Sequence, residues 1–109
     1  WRAFRWSMLG LRAGWRRGAS FRLEAMLAVV LIPLGLWLGE GALEKLALVG
    51  PAFLVLSAEL LNSAVEAVVD KVSPEFHELA GRAKDMGSAA VFLLLVLMVL
   101  SWGLVLGLR

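Results

Sequence analysis

Long apolar runs separated by short polar interruptions set the layout of the chain. "AMLAVVLIPLGLWL" covers Ala25–Leu38, a second run begins at Leu46 and stays mostly apolar to Val69, and "AAVFLLLVLMVLSWGLVLGL" covers Ala89–Leu108. The third run is long enough to cross a bilayer alone, since a helical span takes about 20 residues. The first crosses only if its neighbours extend it. Hydrocarbon offers backbone polar groups no partner but one another, so all three runs are predicted to be helices. The runs lack the period-two alternation of membrane strands, and 109 residues are too few for a closed barrel. "GEGA" (39–42) is a turn signal, and Pro33 and Pro51 are candidate kinks. The chain shows no internal repeat.

The first 22 residues follow a different pattern. Trp1, Phe4, Met8, Leu11 and Trp15 recur in steps of three and four, forming one apolar stripe. Arg2, Arg5, Arg12 and Arg16 each lie one position further on, about 100° around a helix. Such a helix is predicted to lie in the membrane interface with its arginines toward headgroup phosphates. It serves either as an anchor or as a grip on a phosphorylated substrate. With no continuous apolar h-region, the segment is not a signal peptide. Trp1 in place of an initiator Met suggests trimming before it. The predicted organisation is one domain over 1–109: an interfacial helix over 1–22, spans over 23–39, 44–71 and 84–108, and a loop with a short helix over 73–82.

Composition agrees with a bilayer as solvent. Hydrophobic residues make up 61% of the chain and charged ones 18%, more apolar surface than a soluble domain of this length can hide. There is no cysteine and one histidine, which argues against a disulfide framework or a zinc centre. Arg2, Arg5, Arg12, Arg16, Arg17 and Arg22 all precede the first span, which places the N-terminus in the cytoplasm. The first loop, with Glu40, Glu44 and Lys45, then faces out, and Lys71, Arg82 and Lys84 return inside. This puts the C-terminus outside, with Trp37 and Trp102 at the outer interface.

Against this background "AELLNSAVEAVVD" (58–70) is anomalous. Glu59, Asn62 and Glu66 fall within roughly 60° of one another on one helix face. Carboxylates inside a membrane are costly and face protein or water rather than lipid. Counting from Leu46, Glu66 lies near the cytoplasmic interface and Glu59 about 10 Å deeper. The group fits a polar clamp between helices, or one acid for aqueous solutes and another for something held among lipids.

The second loop adds chemistry. Ser73-Pro74-Glu75 has the form of an N-cap and first turn, with Phe76 and Leu79 as apolar anchors. Lys84 and Asp85 are expected at the N-terminus of the third span, either marking the membrane boundary or receiving an anion such as phosphate. Gly87, Ser88, Ala89 and Ala90 are small enough for a close approach. His77 is expected at the surface. Acids on one helix, a lysine at a helix start and an arginine-rich interfacial helix together suggest phosphoryl transfer at the membrane surface. No "GxxxxGK[ST]" is present, so a P-loop is excluded.

"GLRAGW" (10–15), "FRLE" (21–24), "AELLNSAVEAVVD" (58–70) and "FHELAGRAKDMGSAAV" (76–91) closely resemble the small integral-membrane diacylglycerol kinases of bacteria, over essentially the whole chain. The resemblance implies an all-α membrane protein: an amphipathic surface helix and three transmembrane helices, assembled as a homotrimer in the inner membrane with active sites between subunits. It implies transfer of the γ-phosphate of MgATP to the hydroxyl of diacylglycerol, giving phosphatidic acid in phospholipid recycling. By matching positions, Glu59 is the general base, Asn62 orients the reacting groups, and Glu66 holds the Mg2+ bound to ATP. Glu75, His77, Lys84, Asp85 and Trp6 are placed with the nucleotide, and Arg12, Trp15, Arg22, Glu24 and Ser88 with the lipid substrate.

The chain departs from the family in one respect. The family usually carries a second metal-binding glutamate just after "GLRAxW", and the ungapped position here is Gly18. Two other readings use the same residues. An undecaprenol kinase of the same fold would also place Glu59 at a hydroxyl, and a small oligomeric ion or proton transporter would use Glu59 and Glu66 as ion sites.

Overall fold

The computed structural model describes residues 1–72 and 78–109. The expected cap and turn over Ser73, Pro74 and Glu75, and the anchor Phe76, lie outside these residues. The described residues form four helices: α1 (Arg2–Arg17), α2 (Ala19–Leu38), α3 (Gly41–Val72) and α4 (Glu78–Gly107). Three of them, α2, α3 and α4, are long and apolar enough to cross a membrane. Both α2 and α3 continue through their prolines, Pro33 and Pro51.

The break between α1 and α2 falls at Gly18, four residues before the boundary expected at Arg22. Gly18 is extended (φ −109°, ψ 105°) and its N–H donates to the Gly14 carbonyl at 2.8 Å. Arg22 fixes the elbow: its guanidinium donates to the carbonyls of Trp15 at 2.8 Å and Arg16 at 3.2 Å, groups left open at the end of α1. The break leaves α2 with 20 residues, enough for about 30 Å at helical rise. This is how a run that looked short completes its span.

Helix α3 is the centre of the bundle. It packs against both α2 and α4, while α2 and α4 share only a small cleft where Leu27 and Ala28 lie with Met98, and α1 packs on the start of α2 and on α3 near Leu60 and Ser63. The core is correspondingly thin: Phe21 and Ala28 from α2, Leu48, Ala52 and Val55 from α3, and Val91 from α4. Close approach depends on Gly35, where a Cβ would stand 3.0 Å from Leu48 Cβ. The Trp102 indole donates to the Leu48 carbonyl at 3.0 Å and joins α4 to the same level. Large side chains such as Val29, Trp37, Leu43, Leu93 and Val99 point outward, as befits helices whose solvent is lipid.

The α2–α3 turn is made by Gly39 and Glu40, and Gly41 (φ +80°) occupies the left-handed region that glycine tolerates. Arg109 closes this end. Its guanidinium donates to the Leu38 carbonyl and to Glu44, the latter at 2.6 Å, while Glu44 also accepts the Glu40 N–H at 3.0 Å. The hydrogen bond to Glu44 raises the already high pKa of Arg109. Replacing Arg109 by glutamine is expected to speed hydrogen exchange at the N–H groups of residues 39–44 and leave the α1 end unchanged. Uniform exchange in both proteins would show that the clamp does not restrain the turn.

Helix α4 starts at Glu78, so the residues up to Ala83 continue directly into the third span. "ELAGRAKD" contains one glycine and no proline, and Glu78 and Arg82 pair one turn apart at 2.9 Å. Lys84 and Asp85 therefore sit inside α4 rather than at its N-terminus. The expectation that open N–H groups of that terminus would receive an anion beside them is corrected accordingly, since their N–H groups belong to the helix ladder.

Candidate active site

Helices α3 and α4 have 32 and 30 residues, about 48 and 45 Å at helical rise, against a hydrocarbon thickness of about 30 Å. Both therefore extend past the hydrocarbon, and most of their charged residues lie toward the end where α1 lies. Down one face of α3 run Glu59, Asn62, Glu66 and Asp70. These positions recur in steps of three and four, so they form one column graded from deep to shallow.

Glu59 is the deep end. It is 7% exposed, the one charged residue buried among those described, and it accepts no hydrogen bond from any of them. Electrostatically it feels Glu24 of α2 and Glu66 two column positions away. One turn shallower, the Asn62 amide donates from Nδ2 to Glu66 Oε1 at 3.3 Å. Its Oδ1 is buried without a partner and faces Gly87 of α4, where a Cβ would stand only 2.1 Å from it. Gly87 thus makes the space in which Asn62 lies. At the shallow end the Lys84 ammonium pairs with Asp70 Oδ1 at 2.6 Å and also feels Glu66.

The column thus gathers Glu59, Asn62, Glu66, Lys84 and Glu24. Asp85 and Ser88 are exposed on α4, and Trp6, Arg12 and Trp15 are exposed on α1. Helix α1 meets α3 through Gly14, where a Cβ would stand 2.5 Å from Leu60 Cδ2, and the Gly18 elbow sits beside Ser63. Arg12 lies about 160° around α1 from Gly14, on the side away from α3. Arg22 is engaged by the elbow carbonyls. Glu75 and His77 lie outside the described residues. Between α1 and α3 runs an apolar groove of about 570 Å³, lined by Gly10, Leu11, Gly14, Leu60 and Ala64 among others.

Sequence reasoning did not assign a role to Asp70 or Gly87. Asp70 was available as the next one-turn step after Glu66. Gly87 was legible only as a small residue, because its partner across the helix interface is set by packing.

A Mg2+ ion fits this donor set. One oxygen of Glu66 is engaged by Asn62 and the other is free of described partners, and magnesium characteristically takes one or two carboxylates together with substrate phosphates. Among the described residues no three acids or imidazoles converge as a closed metal cage. Position 18 faces the same region. A Cβ there would stand 3.6 Å from Ser63 Oγ, with Gly14 O at 3.0 Å and Phe21 Cβ at 3.2 Å as its tight neighbours.

A model of the prokaryotic diacylglycerol kinase family matches residues 5–106. The chain is 46% identical over 99 residues to a diacylglycerol kinase of Haemophilus influenzae, covering 91% of this chain and 84% of that protein. It is 44% identical over 97 residues to the diacylglycerol kinase of Escherichia coli K12, covering 89% and 80% of the two chains. A diacylglycerol kinase of Pseudomonas aeruginosa is 44% identical over 101 residues, covering 93% and 82%.

Proposed function

The chain belongs to the prokaryotic diacylglycerol kinase family, and from that premise we propose that it phosphorylates diacylglycerol with MgATP at the cytoplasmic face of the bacterial inner membrane. The observation that carries the mechanism is the graded column on α3, with a buried, unpartnered carboxylate at Glu59 and a partly exposed one at Glu66. A lipid hydroxyl arrives from the hydrocarbon side and a nucleotide from water. The two acids are spaced to meet them separately.

In this reading Glu59 takes the proton from the acceptor hydroxyl as its oxygen attacks the γ-phosphorus. The bond to the β–γ bridging oxygen breaks, and ADP leaves with that electron pair. Asn62 holds Glu66 in place and keeps Oδ1 for a donor on a substrate. Lys84, already drawn toward the site by Asp70, exchanges that carboxylate for phosphate oxygens, with Asp85, Trp6, Glu75 and His77 also assigned to the nucleotide. Glu66 would hold a magnesium ion, which when bound would supply charge neutralisation for the transferred group. Trp15 and Arg12 on the interfacial α1, with Ser88, take the lipid headgroup, while Arg22 orients that helix through the elbow. In this reading three copies assemble and complete one another's sites, as the resemblance to the family implies.

The test is phosphate transfer from MgATP in mixed micelles to a panel of lipid alcohols. Diacylglycerol is expected to be the preferred acceptor. Preference for undecaprenol would reassign the substrate, and no transfer to any alcohol would remove the kinase reading. The metal reading has its own test at position 18. The extended backbone there accepts a side chain without a positive φ, and a glutamate at that position would reach the α3 face beside Glu66. Gly18→Glu is expected to lower the magnesium concentration needed for half-maximal activity and to tighten Mn2+ binding measured by paramagnetic resonance. Unchanged metal dependence on both measures would show that a second carboxylate there is not missed.

A further inference from the structure

Asn62 of α3 meets Gly87 of α4, and the Trp102 indole of α4 meets the Leu48 carbonyl of α3, so the two helices run antiparallel in one register. The seam between them is not closed along its length. On the half nearer α1 a groove of about 330 Å³ runs from Val65 down to Leu54, with Ser57 and Leu61 of α3 and Ala90 and Leu94 of α4 in its walls. That volume falls within the roughly 300–1,000 Å³ of ligand sites. Leu54, Leu61 and Ala90 are exposed in the single chain, so the groove opens sideways to the hydrocarbon. Further along, Trp102 ties α4 to α3.

The lining is apolar or small, with two polar exceptions. The Ser57 hydroxyl donates to the Phe53 carbonyl of its own helix at 2.9 Å and asks for nothing more. Asn62 lines the shallow part of the groove, and its Oδ1 is buried with no described donor. From Val65 to Leu54 the groove is about 16 Å long at helical rise, and one leaflet of hydrocarbon is about 15 Å deep. A groove that starts at the polar column and runs for one leaflet has the length of an acyl chain, and the open acceptor near its head suits a hydroxyl. A helix from a second copy would follow the seam through both leaflets, past Trp102, whereas the groove ends at Leu54 and Leu94.

We propose that the α3–α4 groove is an acyl-chain site: one chain of the lipid acceptor lies in it, and the acceptor hydroxyl donates to Asn62 Oδ1. The inference rests on the reading that the acceptor is diacylglycerol. Asn62 stands one turn from Glu59 on the same helix face, so a hydroxyl held by its amide oxygen lies beside the carboxylate that is to take its proton. Ser88, assigned to the headgroup, follows Gly87 on α4 and so stands at the mouth of the groove. The groove thereby sets which chains the enzyme accepts. Its depth, fixed by Leu54 and Leu94, measures the chain while Asn62 holds the other end.

The test reads chain preference and contact separately. Full-length protein in mixed micelles with saturating MgATP is given dihexanoylglycerol or dioleoylglycerol. Ser57→Leu fills the middle of the groove from an exposed position. It is expected to lower kcat/KM for the long-chain acceptor about 10-fold relative to the short-chain one, the scale on which apolar pockets discriminate, and to leave the KM for ATP unchanged. Leu94→Ala, which opens the deep end, is expected to move that ratio the other way. Equal effects on both acceptors, or an unchanged ratio in both variants, would overturn the site. Without nucleotide, a diacylglycerol carrying a diazirine near its chain end is expected to label α3 and α4 within 54–65 and 87–94, and to label Ser57→Leu less. Label confined to α1 and α2 would also overturn it. The chain has no cysteine, so Ser57→Cys carries a single thiol, and oxidative cross-linking of copies through it would assign the seam to a second copy instead. Wild-type protein that phosphorylates neither acylglycerol would remove the substrate reading, while the labelling would still decide whether the groove takes an acyl chain.

Discussion

Glu59→Gln is expected to lower phosphate transfer by about 10²- to 10⁴-fold, the range carried by a positioned general base, with the four helices intact. Glutamine has the shape of glutamate, exchanges one acceptor oxygen for an NH2 donor, and cannot take up a proton as a carboxylate does. No described residue hydrogen-bonds to Glu59, so the substitution leaves no donor stranded. Burying a carboxylate in an apolar setting opposes folding, and a neutral amide lightens that burden. The variant is therefore expected to unfold at a temperature equal to or above that of the wild type while losing nearly all activity. Radiolabelled transfer from ATP in mixed micelles, with thermal unfolding followed by circular dichroism, measures both. Full activity in a folded variant would leave the reaction without its base, and a large loss of stability would show that Glu59 serves chiefly as a helix clamp.

The parts of this molecule legible in the sequence are those governed by local physics. The apolar runs marked three span-forming helices because a bilayer admits few backbone solutions, and "GEGA" announced the tight turn at Gly39 and Glu40. The face shared by Glu59, Asn62 and Glu66 followed from helical spacing alone. What stayed hidden depends on contacts between helices. The break at Gly18 is held by Arg22 reaching back to the Trp15 and Arg16 carbonyls, a bond that no local pattern encodes. Lys84 looked like a residue at a helix start because the charged loop before it resembled a connection, yet Leu79, Ala80 and Ala83 carry α4 through it. Its pairing with Asp70 follows from the register in which α4 packs on α3.

The most selective disturbance of the site comes from a single methyl group remote from the reacting atoms. Gly87→Ala would place a Cβ 2.1 Å from Asn62 Oδ1 and 3.1 Å from its Cγ, while the Asn62 Cα is 3.7 Å away, an ordinary contact. The backbones can thus stay where they are, and the amide must turn aside. Turning it breaks the bond from Nδ2 to Glu66 Oε1, so the methyl on α4 frees a carboxylate on α3. The expected result is a loss of activity close to that of Asn62→Ala, on the order of 10²-fold as for a misplaced positioning group, with a stability cost of about 1–3 kcal/mol from overpacking. A double-mutant cycle identifies the cause. In an Asn62→Ala background the obstruction is gone, so adding Gly87→Ala should change activity little, and the pair should be strongly non-additive. Additive losses would mean that Gly87 matters through α4 itself or through a neighbouring copy, and that Asn62 is not held by the space Gly87 leaves. The methyl group would also fill the room facing Oδ1 where a substrate donor is proposed to bind, so the KM for one substrate should rise alongside the fall in kcat.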